Sequence, residues 1–361
     1  MSKDKRIRVG LVGCGGIARG HARALLEQRE VDVTAICDPV KSHITAYQRE
    51  IFRPAGRQPK AYGGYGRMLT SARLDAVVLC TPHTLHHQQI VSALDRGLHV
   101  LVEKPMVTDC GHAREVVDKA QSSGRVVAIA FQGSCSPEFA YIQNAVRRGV
   151  LGELQVVDTF VAQNWQRATA RTWRQKPALS GGGQLYDSGA HMLNALLAFV
   201  DAPPTDVFAY VDRRGTDVDI NSVVSVRFAD GCLGNLTCLG NAVTMLHDVT
   251  VYGTEGIVRT GVGGGRLEHY DAQGKLVSYP HVPYEAQTPV GNFVHAIQGR
   301  DEVRAGPSRG LAMSELMNAI YESARRGERV AITPGKTPTA RAPARNTRRK
   351  RTGRPRSARK K

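Results

Sequence analysis

The sequence predicts an α/β protein in two parts: a doubly wound parallel sheet, then an α/β domain with a largely antiparallel open sheet. Three observations predict it. Apolar strand-like runs alternate with helical periodicity through the first third of the chain. A glycine-rich turn joins the first strand directly to the first helix. After about Phe131 the runs alternate apolar with polar residues between turns, the pattern of a sheet covered on one face.

In order, Ile7 to Val12 reads as a strand, Ile17 to Gln28 as a helix and Asp32 to Cys37 as a second strand. Ala76 to Cys80, Leu98 to Val102 and Val126 to Ala130 are further buried strands. Helices are expected over Leu85 to Arg96 and Cys110 to Ser122. These make a parallel sheet with helices on both faces over residues 1–130. Residues 131–335 form the second domain. There Pro137 to Arg148 reads as a helix ended by Gly149, Leu154 to Val161 as a strand and Ala190 to Phe199 as a helix. Val207 to Tyr279 holds turn-punctuated strands such as Ser222 to Phe228 and Leu233 to Leu239. Helices return at Pro289 to Gln298 and Ser308 to Arg326.

Residues 336–361 form a basic tail with 12 Lys or Arg and no acid. Removing those 12 from the net charge of +17 leaves +5 on the other 335 residues, an ordinary balance. The tail lacks apolar periodicity and is expected to be disordered, either as a solubilising extension or as a non-specific binder of nucleic acid or another polyanion. No apolar run suggests a membrane span. Seven dispersed cysteines without a Cys-x-x-Cys pair read as reduced thiols of a cytoplasmic protein.

Gly13-Cys14-Gly15-Gly16-Ile17-Ala18 fits G-x-G-x-x-A, in its required place between strand and helix, with Asp38 at the end of the next strand. Gly13 permits the tight turn, Gly15 lets the backbone approach a pyrophosphate, and Ala18 lets helix and strand pack closely. The helix start at Gly16 and Ile17 offers N–H groups to the phosphates. Asp38 would accept hydrogen bonds from the adenosine ribose and repel a 2′-phosphate, which favours NAD over NADP.

Glu103-Lys104-Pro105 follows a buried strand, and the carboxyl ends of strands are where such sheets bind ligands. In Gly181-Gly-Gly-Gln-Leu-Tyr-Asp187-Ser-Gly-Ala-His191, Asp187 and His191 are four apart and share a face on a helical turn. Asp187 also suits a cap on the helix that carries His191. A lysine, an aspartate and a histidine at one cleft can move a proton on and off an alcohol, with either Lys104 or His191 as the base. His83, His86 and His87 have helical metal-ligand spacing, but no carboxylate or cysteine completes the set and no metal is expected.

Through these motifs the chain, over about residues 5 to 330, resembles the Gfo/Idh/MocA family of oxidoreductases. The resemblance implies a Rossmann domain and a second domain whose open sheet makes oligomer contacts, as a homodimer or homotetramer. It also implies that Thr81, Pro82, His86, Glu103 and Lys104 lie along the cofactor, and that Lys104, Asp187 and His191 line the substrate pocket. Two positions depart from the family's pattern: Asn194 stands where an aspartate is common, and Ser134 where an arginine is common. Both remove charge near the pocket, where Asn194 faces the substrate side. Trp173 and Arg174, just upstream of the glycine run, either stack on and anchor a sugar or anchor their own loop.

The expected activity is hydride transfer between NAD and a sugar, polyol or related hydroxylated small molecule. The resemblance leaves two alternatives: an NAD-dependent glycosidase working by transient oxidation, and a non-catalytic sensor of NAD or sugar.

Overall fold

The structure, a computed structural model, describes residues 6–277 and 285–332. The basic tail therefore lies outside the described residues. Chain order is β1 (Ile7–Val12), α1 (Ala18–Glu27), β2 (Val31–Cys37), α2 (Lys41–Tyr47), β3 (Lys60–Tyr62), α3 (Tyr65–Ser71), β4 (Ala76–Leu79), α4 (His86–Leu94), β5 (His99–Val102), α5 (Cys110–Ser123) and β6 (Val127–Ile129). These strands form one parallel sheet in the order β3-β2-β1-β4-β5-β6. The order reverses between β1 and β4, so a crevice opens at their carboxyl ends, where the glycine turn and Thr81 lie. Its strands are apolar on both faces, since helices cover both: Ala76 to Leu79 are all buried.

The second half runs α6 (Pro137–Arg147), β7 (Leu154–Ala162), α7 (Trp165–Ala168), α8 (Pro177–Ser180), α9 (Gln184–Asp187), α10 (Gly189–Phe199), β8 (Pro204–Asp212), β9 (Asn221–Phe228), β10 (Leu233–Leu239), β11 (Leu246–Gly253), β12 (Gly256–Thr260), β13 (Leu267–Asp271), β14 (Leu276–Val277), α11 (Pro289–Ile297), α12 (Pro307–Arg326) and β15 (Val330–Ala331). Its nine strands make a sheet in the order β14-β13-β12-β11-β7-β10-β9-β8-β15. All its pairs are antiparallel except β7 with β10. Strict alternation in β9 buries Ser222, Val224, Val226 and Phe228 and turns Val223, Ser225 and Arg227 outward.

One assignment from sequence needs correction. Helix α11, placed above in the second domain, packs on the first sheet: Val290, Phe293 and Val294 join the core of Ile7, Val9, Leu11 and Leu25. Main-chain bonding continues this return, with the Ile129 N–H donating to Ala305 O at 2.9 Å. The sequence could not show it, because the helix's apolar stripe fits either sheet equally well.

Candidate active site

Lys104 leaves the end of β5, and its Nζ crosses to the other half of the molecule. It donates to Asp187 Oδ1 at 2.5 Å and to the Asp187 main-chain oxygen at 2.8 Å. The second carboxylate oxygen, Oδ2, accepts from Trp165 Nε1 at 2.8 Å and Arg174 Nε at 2.9 Å. Burial alone would raise the Asp187 carboxyl, but Lys104 and Arg174 outweigh it and hold the group well below the usual carboxylate range.

The helix expected to run through Asp187 and His191 is broken at Ser188, where α9 ends and α10 begins. Asp187 does not cap α10; its oxygens are spent on Lys104, Trp165 and Arg174. Both residues nevertheless line one cavity of about 260 Å³, with Ile17, Thr81, His83, Glu103, Lys104, Trp173 and Arg174. His191 meets the ring of Phe131 edge-on at 5.8 Å, and among the described residues its ring nitrogens make no hydrogen bond. Burial, then the charge of Lys104, pushes its imidazole down to about 4, so the ring is neutral near neutral pH.

The glycine run has a steric cause. A Cβ on Gly183 would stand 1.9 Å from Asp219 O, and one on Gly182 would stand 2.5 Å from the Tyr321 hydroxyl. The Asp219 carboxylate, buried, accepts the Gly183 N–H at 2.6 Å and the Leu185 N–H at 2.7 Å. It thereby stands in for the cap that α9 lacks and sets where Asp187 emerges.

The glycine turn is shaped for a dinucleotide. Gly13 has φ +88°, and a Cβ there would meet Cys80 O at 2.5 Å. Gly15 and Gly16 face open space, with nothing within 4 Å of a built Cβ. Ala18 is fully buried at the helix start, and Ile17 is exposed beside the cavity. Asp38 Oδ2 accepts the Cys14 N–H and Oδ1 the Val40 N–H, each at 2.8 Å. That ties the Asp38 carboxylate to the glycine turn itself. The residues present fit a bound NAD: an open backbone cradle, then an acid at the end of β2.

Other candidates fall in different places. Glu103 lines the cavity and accepts from His21 Nε2 at 2.7 Å. Thr81 lines it too, its hydroxyl donating to Gln89 Oε1 at 2.6 Å, and Pro82 begins the short turn that leads into α4. His86 is not a contact residue. It is fully buried, with Nδ1 2.9 Å from Pro105 O and Nε2 2.9 Å from Thr81 O, so it braces the two loops that border the cofactor cradle. Asn194 is likewise not at the cavity. It is buried and exchanges hydrogen bonds with Ser134, Nδ2 lying 2.9 Å from the hydroxyl. The two departures from the family's pattern are thus partners, a neutral pair behind the site.

The three closely spaced histidines diverge: His83 reaches Ser180 O, His86 the backbone oxygens above, and His87 the Glu115 carboxylate. Sequence reasoning missed His83 and Trp165 as site residues. His83 lines the cavity and meets Trp173 edge-on at 4.8 Å. Trp165 lies just beyond the end of β7, and that position was the available signal.

Residues 7–131 match the Gfo/Idh/MocA oxidoreductase family with its NAD-binding Rossmann fold, and residues 139–259 match the Gfo/Idh/MocA C-terminal domain. The chain is 24% identical to D-glucoside 3-dehydrogenase of Escherichia coli over 351 residues, which covers 90% of this chain and 97% of that protein. It is 26% identical to the trans-1,2-dihydrobenzene-1,2-diol dehydrogenase of Sus scrofa, covering 89% of this chain and 96% of that one. Among solved structures, the WlbA dehydrogenase of Bordetella pertussis, in complex with NADH and UDP-GlcNAcA, is similar at a TM-score of 0.80 and 26% identity, covering 91% of this chain and 99% of that chain. No helix among the described residues is long and apolar enough to cross a membrane. With matched models spanning both sheets around a dinucleotide cradle, the chain belongs to the Gfo/Idh/MocA family and is an NAD-dependent oxidoreductase.

Proposed function

We propose that the chain moves a hydride between the nicotinamide and a hydroxyl-bearing carbon of a sugar, polyol or related small molecule, with His191 as the base and Lys104 as the donor to the substrate oxygen. The convergence of Lys104, Asp187 and His191 on one cavity beside the glycine cradle carries this reading. Bound NAD supplies the hydride acceptor. Lys104 has three ammonium protons and spends two on Asp187, which leaves one for the substrate oxygen. His191 is neutral with both ring nitrogens uncommitted, as acceptance of a hydroxyl proton requires. Asp187, held ionised by two cations, fixes the ammonium in place. The names of the glucoside and dihydrodiol dehydrogenases support a hydroxylated, sugar-like substrate. Asp38, tied to the phosphate turn, supports NAD over NADP.

The test is NADH formation across a panel of aldoses, polyols and glycosides, with the native protein and His191→Ala. No oxidation of any hydroxylated substrate would overturn the reading. Hydrolysis of glycosides without net NADH would favour the glycosidase, and nucleotide binding without either would favour the sensor.

Assembly as a homodimer or homotetramer through the open sheet is part of the same proposal. Tyr210 and its cross-strand neighbour Val223, and further along Leu233 and Tyr252, are exposed apolar or aromatic side chains on its uncovered face, which supports a contact there. Light scattering on the native protein and Tyr210→Lys would test it. A cytoplasmic location is supported by seven free thiols. The basic composition of residues 336–361 supports salt-sensitive binding to nucleic acid, which truncation after Pro334 should remove while leaving turnover intact.

A further inference from the structure

We propose that the substrate is an anionic sugar, whose carboxylate or phosphate is recognised by Arg174. The proposal rests on the oxidoreductase reading above and narrows its substrate class.

Arg174 lines the cavity. Its Nε is spent on Asp187 Oδ2, and its guanidinium lies 4.7 Å from the centre of the Trp173 ring. Among the described residues its two terminal nitrogens make no hydrogen bond, although the side chain is only 32% exposed. The carboxylate and the indole thus hold the guanidinium plane, while the Nη donors remain free. A fixed guanidinium with paired N–H groups matches two oxygens of a carboxylate or a phosphate, and preorganisation lowers the entropy lost on binding. A neutral sugar offers those donors no charged partner.

The charge around Arg174 points the same way. The segment from Trp165 to Lys176 carries Arg167, Arg171, Arg174 and Lys176 and no acid. Of these four, only Arg174 enters an ion pair among the described residues, and its partner Asp187 is shared with Lys104. The other carboxylate at the cavity, Glu103, is engaged by His21. Arg171 also has φ +63°, a left-handed conformation that crowds the β-carbon of any residue but glycine. The surplus of positive charge would also raise the local concentration of an anion.

Initial rates with NAD on the full chain would be compared for D-glucose, D-glucuronate and D-glucose 6-phosphate at low ionic strength. One of the two anions should exceed glucose in kcat/KM by about tenfold, the size of one hydrogen bond to a charged group. Which anion wins tells carboxylate from phosphate. Arg174→Gln should bring that ratio close to one, and an unchanged ratio would overturn the assignment. If Arg174→Gln fails to fold, Arg174→Lys supplies the second variant: it keeps the charge but loses the paired N–H groups, so it should reduce the ratio, and an unchanged ratio there counts equally against the proposal. Calorimetric titration of the NADH-loaded protein with the same sugars keeps the two readings apart. Anion-selective binding without turnover would uphold this proposal and overturn the oxidoreductase reading. Equal turnover of glucose and its anions, or binding of neither anion, would overturn this proposal alone.

Discussion

Lys104 Nζ lies 2.5 Å from one carboxylate oxygen of Asp187 and 2.8 Å from the same residue's main-chain oxygen, so a single aspartate presents both its side chain and its backbone to one ammonium. The pair is largely buried, each side chain about a tenth exposed (12% and 11%). Removing one partner leaves a buried charge, a loss of about 3–5 kcal/mol in comparable pairs.

Lys104→Ala, Asp187→Ala and His191→Ala should each lower kcat about 100- to 10,000-fold, the usual cost of a lost acid–base group. Combining them should add little, because the groups act as a unit. Steady-state kinetics with NADH binding measured alongside would check it. Near-native turnover in His191→Ala would remove that residue from the chemistry.

The glycines should separate into two kinds. Gly13→Ala and Gly183→Ala force a Cβ against backbone oxygen, at 2.5 Å and 1.9 Å, and should lower Tm markedly. A Cβ on Gly15 meets nothing within 4 Å in the protein, so Gly15→Val should melt close to the native chain and yet lose NADH affinity, because it fills the cradle. Melting curves with and without NADH decide between these outcomes.

Asp38→Ser should narrow the preference for NAD over NADP, since it removes the carboxylate that repels a 2′-phosphate. It should also loosen the turn, because Cys14 N–H loses its acceptor. Turnover measured with each cofactor checks this. Stronger use of NADP by the native protein would contradict it.

Stability should fall with acid across a defined window. Burial, followed by nearby positive charge, pushes His99 and His191 down to about 4 and His83 to about 3, against an ordinary value of 6.5. In the unfolded chain these rings take up protons that the folded state refuses, so stability is full above 6.5 and is lost as pH falls toward 4 and 3. His99 Nδ1 accepts the Val126 N–H at 3.0 Å, a bond that protonation would break. Tm should therefore drop between pH 6.5 and 4, less steeply in His99→Gln; a flat native profile would refute the argument.

The sequence shows the first sheet well because its strands are short, wholly apolar runs separated by helical spacing, as in Ala76 to Leu79. It also marks Lys104, Asp187 and His191, whose motifs are local. It misses what depends on distant approach. Nothing near Asp219 in sequence announces that its carboxylate holds the Gly183 and Leu185 N–H groups. The pairing of Ser134 with Asn194, 60 residues apart, is equally invisible, and so is the choice of sheet by α11. Single-residue spacing carries periodicity, whereas these contacts depend on how two sheets meet.

The return of α11 to the first sheet changes what kind of machine this is. The chain passes from one sheet to the other after β6 and then comes back, and α12 next packs on both α5 and β8. A cut between residues 131 and 137 would therefore not free two separable pieces, because the later segment still clasps the earlier one. The two sheets are therefore not joined by one strand of linker: the returning chain and α12 tie them as well. Limited proteolysis in that stretch should leave the nicked halves joined.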